Sequence, residues 1–216
     1  MERRNAMDKG HKFIEKEARD LAQRIARDRI APAAGEHDRN GTFPREAIES
    51  LGDVGLLGMI VSEKHSGADA SRADFAILTA ELGRACASTA LVAVSHIIAE
   101  KAIERAATNL VKQKWLPQMT AGRALGAFAV HESNSGSNAG AITTEAVKEG
   151  NEYVVNGSKF FITSAGEADV YLVLVRTDPE KGPQGMSTLL IEKDASGLSF
   201  GQPEDKMGLR SSSSRR

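Results

Sequence analysis

Cysteine occurs once in the 216 residues, at Cys86. One thiol excludes an internal disulfide framework and agrees with a reducing compartment. Cys86 lies within an apolar helical pattern, the setting of a buried, inert thiol rather than a nucleophile. No apolar run reaches the roughly 18 residues a membrane-spanning helix needs. The opening MERRNAMDKGHKF lacks the apolar core of a secretory signal, so the expected location is cytoplasmic. Neither sign of charge dominates: 28 basic residues face 29 acidic ones, a net charge of -1. That balance excludes a global basic field for nucleic acid. No repeat with a period of 20–50 residues is visible.

What is present divides by period. Through residue 122 the apolar residues recur at helical spacing. Phe13, Ala18, Leu21, Ile25 and Ile30 share a face, and Pro32 is expected to end that first helix, with a polar loop from Gly35 to Thr42. Phe43-Pro44 opens a second helix with Ala47, Ile48, Leu51 and Val54 inward. Ser62 to Ala70 reads as a loop. Ser71, with Asp74 three residues on, forms a capping-box variant for a third helix on Phe75, Leu78 and Leu82. A fourth helix from Ser88-Thr89 to about Ala107 is apolar on most sides and so central; His96 inside it reads as a core histidine with one nitrogen hydrogen-bonded. Thr108 or Asn109 caps a last helix holding Trp115, Leu116 and Pro117.

After Gly122 the period becomes 2. Strands are expected at Leu125–Val130, Ala141–Val147, Tyr153–Val155, Lys159–Thr163, Val170–Val175, Met186–Ile191 and Leu198–Phe200, with a hairpin turn at Asn156-Gly157. Val170–Val175, apolar throughout, should be buried on both faces. The expected fold class is α+β: an all-helical domain over 1–122, then a small antiparallel β-barrel or sandwich over 123–216.

The stretch from Leu125 to Ala141, LGAFAVHESNSGSNAGA, stands out. Phe128 and Val130 alternate with Ala127 and Ala129, and a loop of small polar residues follows. Small residues let a ligand approach the backbone, and free N–H groups there can hold an anionic oxygen. Taken alone, the loop fits a solvent-exposed Ser/Asn/Gly turn better than a site.

Six segments, in order, change that balance: GEHDRNGTFP at 35–44, SEKHSGADA at 62–70, ASTALVAVSH at 87–96, KQKWLPQMTAGRALGAFAVHES from 112, GNEYVVNGSKFFITSAGEAD from 150, and EDKMGLRSSS at 204–213. Together they resemble the N-terminal and middle domains of the acyl-CoA dehydrogenases, most of all the short-chain, butyryl-CoA type. The resemblance implies a flavoprotein oxidoreductase of fatty acid β-oxidation that binds FAD and an acyl-CoA thioester. In that family a carboxylate removes the α-proton, the β-hydrogen leaves as hydride to the flavin, and the trans-2-enoyl-CoA is released. Electrons pass to an electron-transfer flavoprotein, and the complete enzyme is a homo-oligomer. By the same resemblance Phe128, Val130 and His131, with Ser137, form the first cofactor-binding segment. Ser137 also approaches the substrate thioester. Phe161, Ile162 and Thr163 form the second segment, with the aromatic residue against the flavin ring. Without the resemblance, Phe161 would read as an ordinary core aromatic.

Departures from the family pattern bear on function. His131 stands where the family has threonine or serine; its imidazole either bonds the flavin in one tautomer or crowds the ring. Asn138 replaces an aspartate, and Ser133 replaces a common proline, which should loosen the loop. The family continues with a last barrel strand and a C-terminal helical domain that carries the catalytic carboxylate. Neither is expected within these residues, so no catalytic residue is assigned, Glu132 reads as structural, and a sheet edge should be left unpaired. The tail SSSSRR is expected to be flexible or a truncation scar. Besides a dehydrogenase seen in part, two alternatives remain open here: a non-catalytic module that binds FAD or acyl-CoA or joins longer relatives, and a ligand-free interaction domain.

Overall fold

The computed structural model describes Lys16 and residues 19–216. The expectations placed on Phe13 and Ala18 lie outside the described residues. Chain contacts separate two units: residues 1–124 with 206–212, and residues 125–205 with 213–216.

The first unit is helical. Helix runs from residue 19 without the break expected at Pro32. A π-helical turn, Ala26–Ile30, passes directly into α1, Ala31–Asn40, with Pro32 in its first turn. Ala31, the residue before the proline, is helical at φ -55° and ψ -39°. The π turn admits the proline: its wider i→i−5 bonding, seen in the Ala31 N–H to the Ala26 carbonyl, gives the ring room that a regular α-helix lacks. The helix therefore ends at Gly41, which takes a left-handed φ of 65°, and the expected polar loop is mostly helix. α2 is Arg45–Asp53, with Ala47, Ile48 and Leu51 buried. α3, Arg72–Ala85, begins with the capping box: the Asp74 N–H donates to Ser71 Oγ at 3.2 Å and the Ser71 N–H returns to Asp74 Oδ2 at 2.9 Å. α4 is Ala87–Ala106 and α5 is Asn109–Thr120, the latter capped by Thr108. Gly52 and Gly122 touch backbone to backbone; a Cβ on Gly52 would lie 2.6 Å from the Gly122 Cα.

α4 carries ten buried residues, among them a His–Glu pair one turn apart. His96 and Glu100 are both 0 % exposed. His96 Nε2 lies 3.2 Å from the Met119 carbonyl and 3.3 Å from Glu100 Oε1. A carbonyl only accepts, so Nε2 carries the hydrogen. No well-formed hydrogen bond meets either Glu100 oxygen among the described residues. Burial therefore dominates and raises the Glu100 carboxyl above its usual range, with His96 opposing the rise.

The second unit is an open, sandwich-like sheet: of the expected barrel or sandwich it is not the closed barrel, and its strands are mixed rather than wholly antiparallel. β1 is Gly126–Ala129, β2 Glu145–Glu149, β3 Glu152–Asn156, β4 Val170–Arg176 and β5 Met186–Glu192. β4 is central. It pairs parallel with β1 and antiparallel with β5, and meets β2 in parallel at Glu145–Arg176. β2 and β3 form an antiparallel hairpin turning at Gly150, φ 63°. Alternation in sequence records which face a residue takes; strand direction is left open.

Three expected strands differ. β2 starts at Glu145, not Ala141, because a one-turn 3-10 helix occupies Ala139–Ala141, with the Arg176 guanidinium holding the carbonyls of Gly140 and Ile142 at 3.0 and 3.1 Å. No hairpin forms at Asn156-Gly157. Gly157 instead packs on Thr144, where a Cβ would lie 2.4 Å from Thr144 Oγ1, and residues 157–161 run on as irregular chain. Leu198–Phe200 is no strand; the Phe200 ring packs 5.3 Å from Tyr171.

Replacing Glu100 tests the buried pair. A carboxyl raised in the folded state contributes stability that is full below its unfolded value and is lost as pH rises through the folded value. Glu100→Gln should melt above the parent at neutral pH, with the gap closing as pH falls to about 4. A thermal-melt series over pH measures this.

Candidate functional site

The site is built within the second unit, on the end of β1. Ala127 and Ala129 face inward and are buried, while Phe128 and Val130 are half-buried on the other side. Phe128 stands in register with Leu172 of β4. The strand's entry is fixed by Asp169, whose Oδ2 accepts the Leu125 N–H at 2.7 Å.

At Glu132 the chain leaves the sheet. The carboxylate is buried, its side chain 3 % exposed. It accepts from the Thr143 N–H at 2.6 Å, Thr143 Oγ1 at 2.7 Å, the Thr144 N–H at 3.0 Å and the Thr144 hydroxyl. Lys159 Nζ completes the set at 2.8 Å from Oε1, and also donates to the Val130 carbonyl at 3.2 Å. Burial disfavours this charge. The hydrogen bonds from Lys159, Thr144 and Thr143 outweigh it and bring the carboxyl down to about 2. Lys159 is itself lowered, by burial first, with Glu132 opposing.

The loop beyond Glu132 is closed by paired bonds between Glu132 and Ser135, at 2.9 and 3.1 Å, and by Ser135 Oγ on the Asn138 carbonyl at 2.7 Å. With these bonds the loop is tied even though Ser133 stands in place of a proline. Gly136 and Ser137 are exposed at its crest, and no protein group accepts from their N–H groups among the described residues.

The second segment lies alongside. The Phe160 N–H donates to the His131 carbonyl at 2.8 Å. Phe161 follows with a φ of 56° and a ring 65 % exposed. It is thus not the core aromatic that its residue type suggests. Ile162 is buried and pairs with Arg215 in both directions. Thr163 is half-buried, and Ser164 takes φ 65° with its hydroxyl buried and unpartnered.

The structure therefore brings Val130 and His131 together with the 159–162 segment through Lys159 and Phe160. Ser137 sits at the crest of the first loop, with no bond to the second segment. The Ile162 side chain turns inward, so its part is played by its backbone. Four contributors escaped the sequence reading: Lys159, Thr143, Thr144 and Arg215. The first left a trace, since a lysine between Gly157 and Phe160-Phe161-Ile162 has no solvent-side pattern to explain it. The tail also differs from expectation: Ser211–Ser214 are buried and Arg215 forms bridges to Ile162 and Pro203, so it is packed structure.

Chemically, the surface offers an exposed aromatic face and, among the described residues, an imidazole and the N–H groups of a small-residue crest without protein partners. That donor set fits a planar heteroaromatic ring with a polar edge and an anionic tail. Glu132 fits no role as a base, since its lone pairs are committed and its affinity for protons is low.

Two family models match the chain: acyl-CoA dehydrogenase, N-terminal domain, over residues 14–123, and acyl-CoA dehydrogenase, middle domain, over 127–216. The chain belongs to the acyl-CoA dehydrogenase family. Among relatives of this family, the acryloyl-CoA reductase (NADH) of Anaerotignum propionicum is 38% identical over 194 residues, covering 89% of this chain and 49% of that protein. The butyryl-CoA dehydrogenase structure from Megasphaera elsdenii superposes with a TM-score of 0.89 at 31% identity, covering 94% of this chain and 54% of that one. The acyl-CoA dehydrogenase of Bacillus anthracis complexed with FAD gives a TM-score of 0.84 at 28% identity over 94% of this chain and 35% of that one. The chain spans about half the length of the curated acyl-CoA dehydrogenase relatives it matches.

The Glu132 node carries a pH prediction. A carboxyl depressed in the folded state contributes stability above its unfolded value of about 4.5 that is lost as pH falls through about 2. Glu132→Gln should cost about 3–5 kcal/mol at neutral pH, because Lys159 is left buried and uncompensated. It should also flatten the parent's loss of stability between those two pH values. Urea unfolding followed through the sheet unit measures both.

Proposed function

We propose that this chain forms the flavin-binding half of an FAD-dependent acyl-CoA dehydrogenase acting on a short acyl-CoA. The observation that carries the reading is the exposed Phe161 ring, held at a positive φ beside His131 and within the same unit as the free N–H crest at Gly136 and Ser137. Phe161 would cover one face of the isoalloxazine, and backbone groups of residues 130–131 and 162–163 would bond its edge. The Gly136–Ser137 crest would receive the pyrophosphate, with Ser137 near the thioester. When bound, FAD supplies the oxidant for the α,β-dehydrogenation. This chain's residues orient it and exclude water from one face. Two relatives are named for three- and four-carbon acyl thioesters, which supports a short substrate. An electron-transfer flavoprotein is the electron acceptor in this reading, and a homo-oligomer its assembled form.

The base that removes the α-proton is not among the described residues of the site, where the one buried carboxylate is committed to Lys159 and two threonines. We place it in the portion by which the relatives exceed this chain. The same observation favours a second reading, a module that binds FAD or acyl-CoA without turning it over or that joins longer relatives.

The test is an absorbance spectrum after incubation with FAD and desalting. Retained flavin bands that do not bleach with butyryl-CoA are expected. Bleaching would show a complete catalytic site and refute the missing base; loss of all flavin would sink the binding reading. Phe161→Ala should weaken FAD binding about tenfold, the size of one lost ring contact of about 1–1.5 kcal/mol.

A further inference from the structure

Phe161 holds a φ of 56°, a left-handed conformation that a bulky residue keeps only under constraint. Its ring does not supply that constraint. It is mostly exposed, and its ring contact is a tilted one with Phe160 at 6.4 Å between centroids. The constraint comes from the backbone on each side. Before it, the Phe160 N–H is anchored on the His131 carbonyl. After it, the Ile162 N–H donates to the Arg215 carbonyl at 3.0 Å, and the Arg215 N–H returns to the Ile162 carbonyl at 3.2 Å.

The second anchor is itself held firmly. The Glu204 N–H donates to the Ser214 carbonyl and the Gly201 N–H to the Arg216 carbonyl, both at 2.9 Å. Ser213 Oγ donates to the Ala165 carbonyl at 3.2 Å, and Arg216 Nε to Ser158 Oγ at 2.7 Å. The Arg216 guanidinium lies 5.0 Å over the Phe160 ring, and Arg215 reaches Glu167 at 3.8 Å. Residues 213–216 thus form a bridged segment, without being a regular strand, that bonds to both the 158–167 segment and the 201–204 segment.

The geometry points to Arg215, acting through its backbone, as a positioning residue that sets the left-handed conformation of Phe161 and so aims its ring outward as a platform for the flavin. The role as a platform rests on the flavin reading above; the role in setting φ does not. Without the two bonds to Arg215, Phe161 relaxes to negative φ and the ring swings away from the surface it now presents.

Arg215→Pro removes the N–H that reaches Ile162, whereas Arg215→Ala keeps both backbone bonds. In the flavin-free chain, the intraresidue amide-to-Hα NOE of Phe161 is strong at positive φ and weak at negative φ. It should be strong in the parent and in Arg215→Ala, and weak in Arg215→Pro. A strong NOE in Arg215→Pro overturns the proposal. In FAD titrations, Arg215→Pro and Phe161→Ala should each raise Kd about tenfold, the double variant no further, and Arg215→Ala by less than about twofold. Multiplying losses, about a hundredfold in the double variant, would overturn the positioning role and leave Arg215 a general structural element. If Arg215→Pro does not fold, amide exchange in the parent decides. The Ile162 and Arg215 amides should be protected together with that of Phe160, and exchange at the free rate overturns the anchor. A parent with the expected NOE that binds no FAD would support the anchor and sink the flavin reading.

Discussion

A carboxylate taken out of water costs several kcal/mol unless the protein returns the hydrogen bonds that water gave it. At Glu132 it does so from two stretches of chain that are distant in sequence. Thr143 and Thr144 come from the approach to β2, Lys159 from the segment after β3, and Lys159 also ties the Val130 carbonyl at the end of β1. The remaining parts of the candidate site depend on that meeting. It places the 130–132 segment beside the 159–161 segment, so that His131 can anchor Phe160 and Phe161 can project. A glutamine in the same place would keep the shape and lose the reason for Lys159 to be buried.

The helical unit holds an instructive contrast. Glu100 and Glu132 are both buried, Glu100 the more deeply, and the Glu100 carboxyl is raised where that of Glu132 is lowered. Residue type is the same; Glu100 is further from water and the donors differ. Glu132 gathers two N–H groups, two hydroxyls and an ammonium. Glu100 lies beside one imidazole nitrogen, whose hydrogen goes to the Met119 carbonyl. At Glu132 the hydrogen bonds to the charged form outweigh desolvation; at Glu100 deeper burial and fewer donors leave desolvation dominant.

Much of this was legible in the sequence, for identifiable reasons. The capping box at Ser71 and Asp74, the Thr108 cap, the apolar α4 and the buried β4 all follow from local pattern, which the chain's neighbours in space do not alter. Three things escaped, one through local backbone geometry and two through contacts settled across longer separations. Pro32 looked like a helix end because its effect was judged on a regular α-helix, and a π turn removes the clash. Asn156-Gly157 looked like a hairpin, but Gly157 serves a close approach to Thr144 instead. The parallel pairing of β1 with β4 leaves no mark in alternation. Of the site, the small-residue crest and the aromatic of the second segment were legible through the resemblance. The partners that hold them were not, because Thr143, Thr144 and Arg215 contribute hydrogen bonds that no spacing announces.

Phe161 shows why those partners matter. A ring presented to solvent at a positive φ is unfavourable twice over, in exposed apolar area and in backbone conformation. Local sequence would place it otherwise on both counts, inward and at negative φ. Its arrangement persists because the anchors at His131 and Arg215 over-determine the backbone on each side. Such strain is relieved by nothing within the described residues, and a planar ligand laid on the exposed face would recover the buried area without disturbing either anchor. A surface that is preorganised in this way pays its ordering cost during folding, so binding a flavin there requires little further change in the protein.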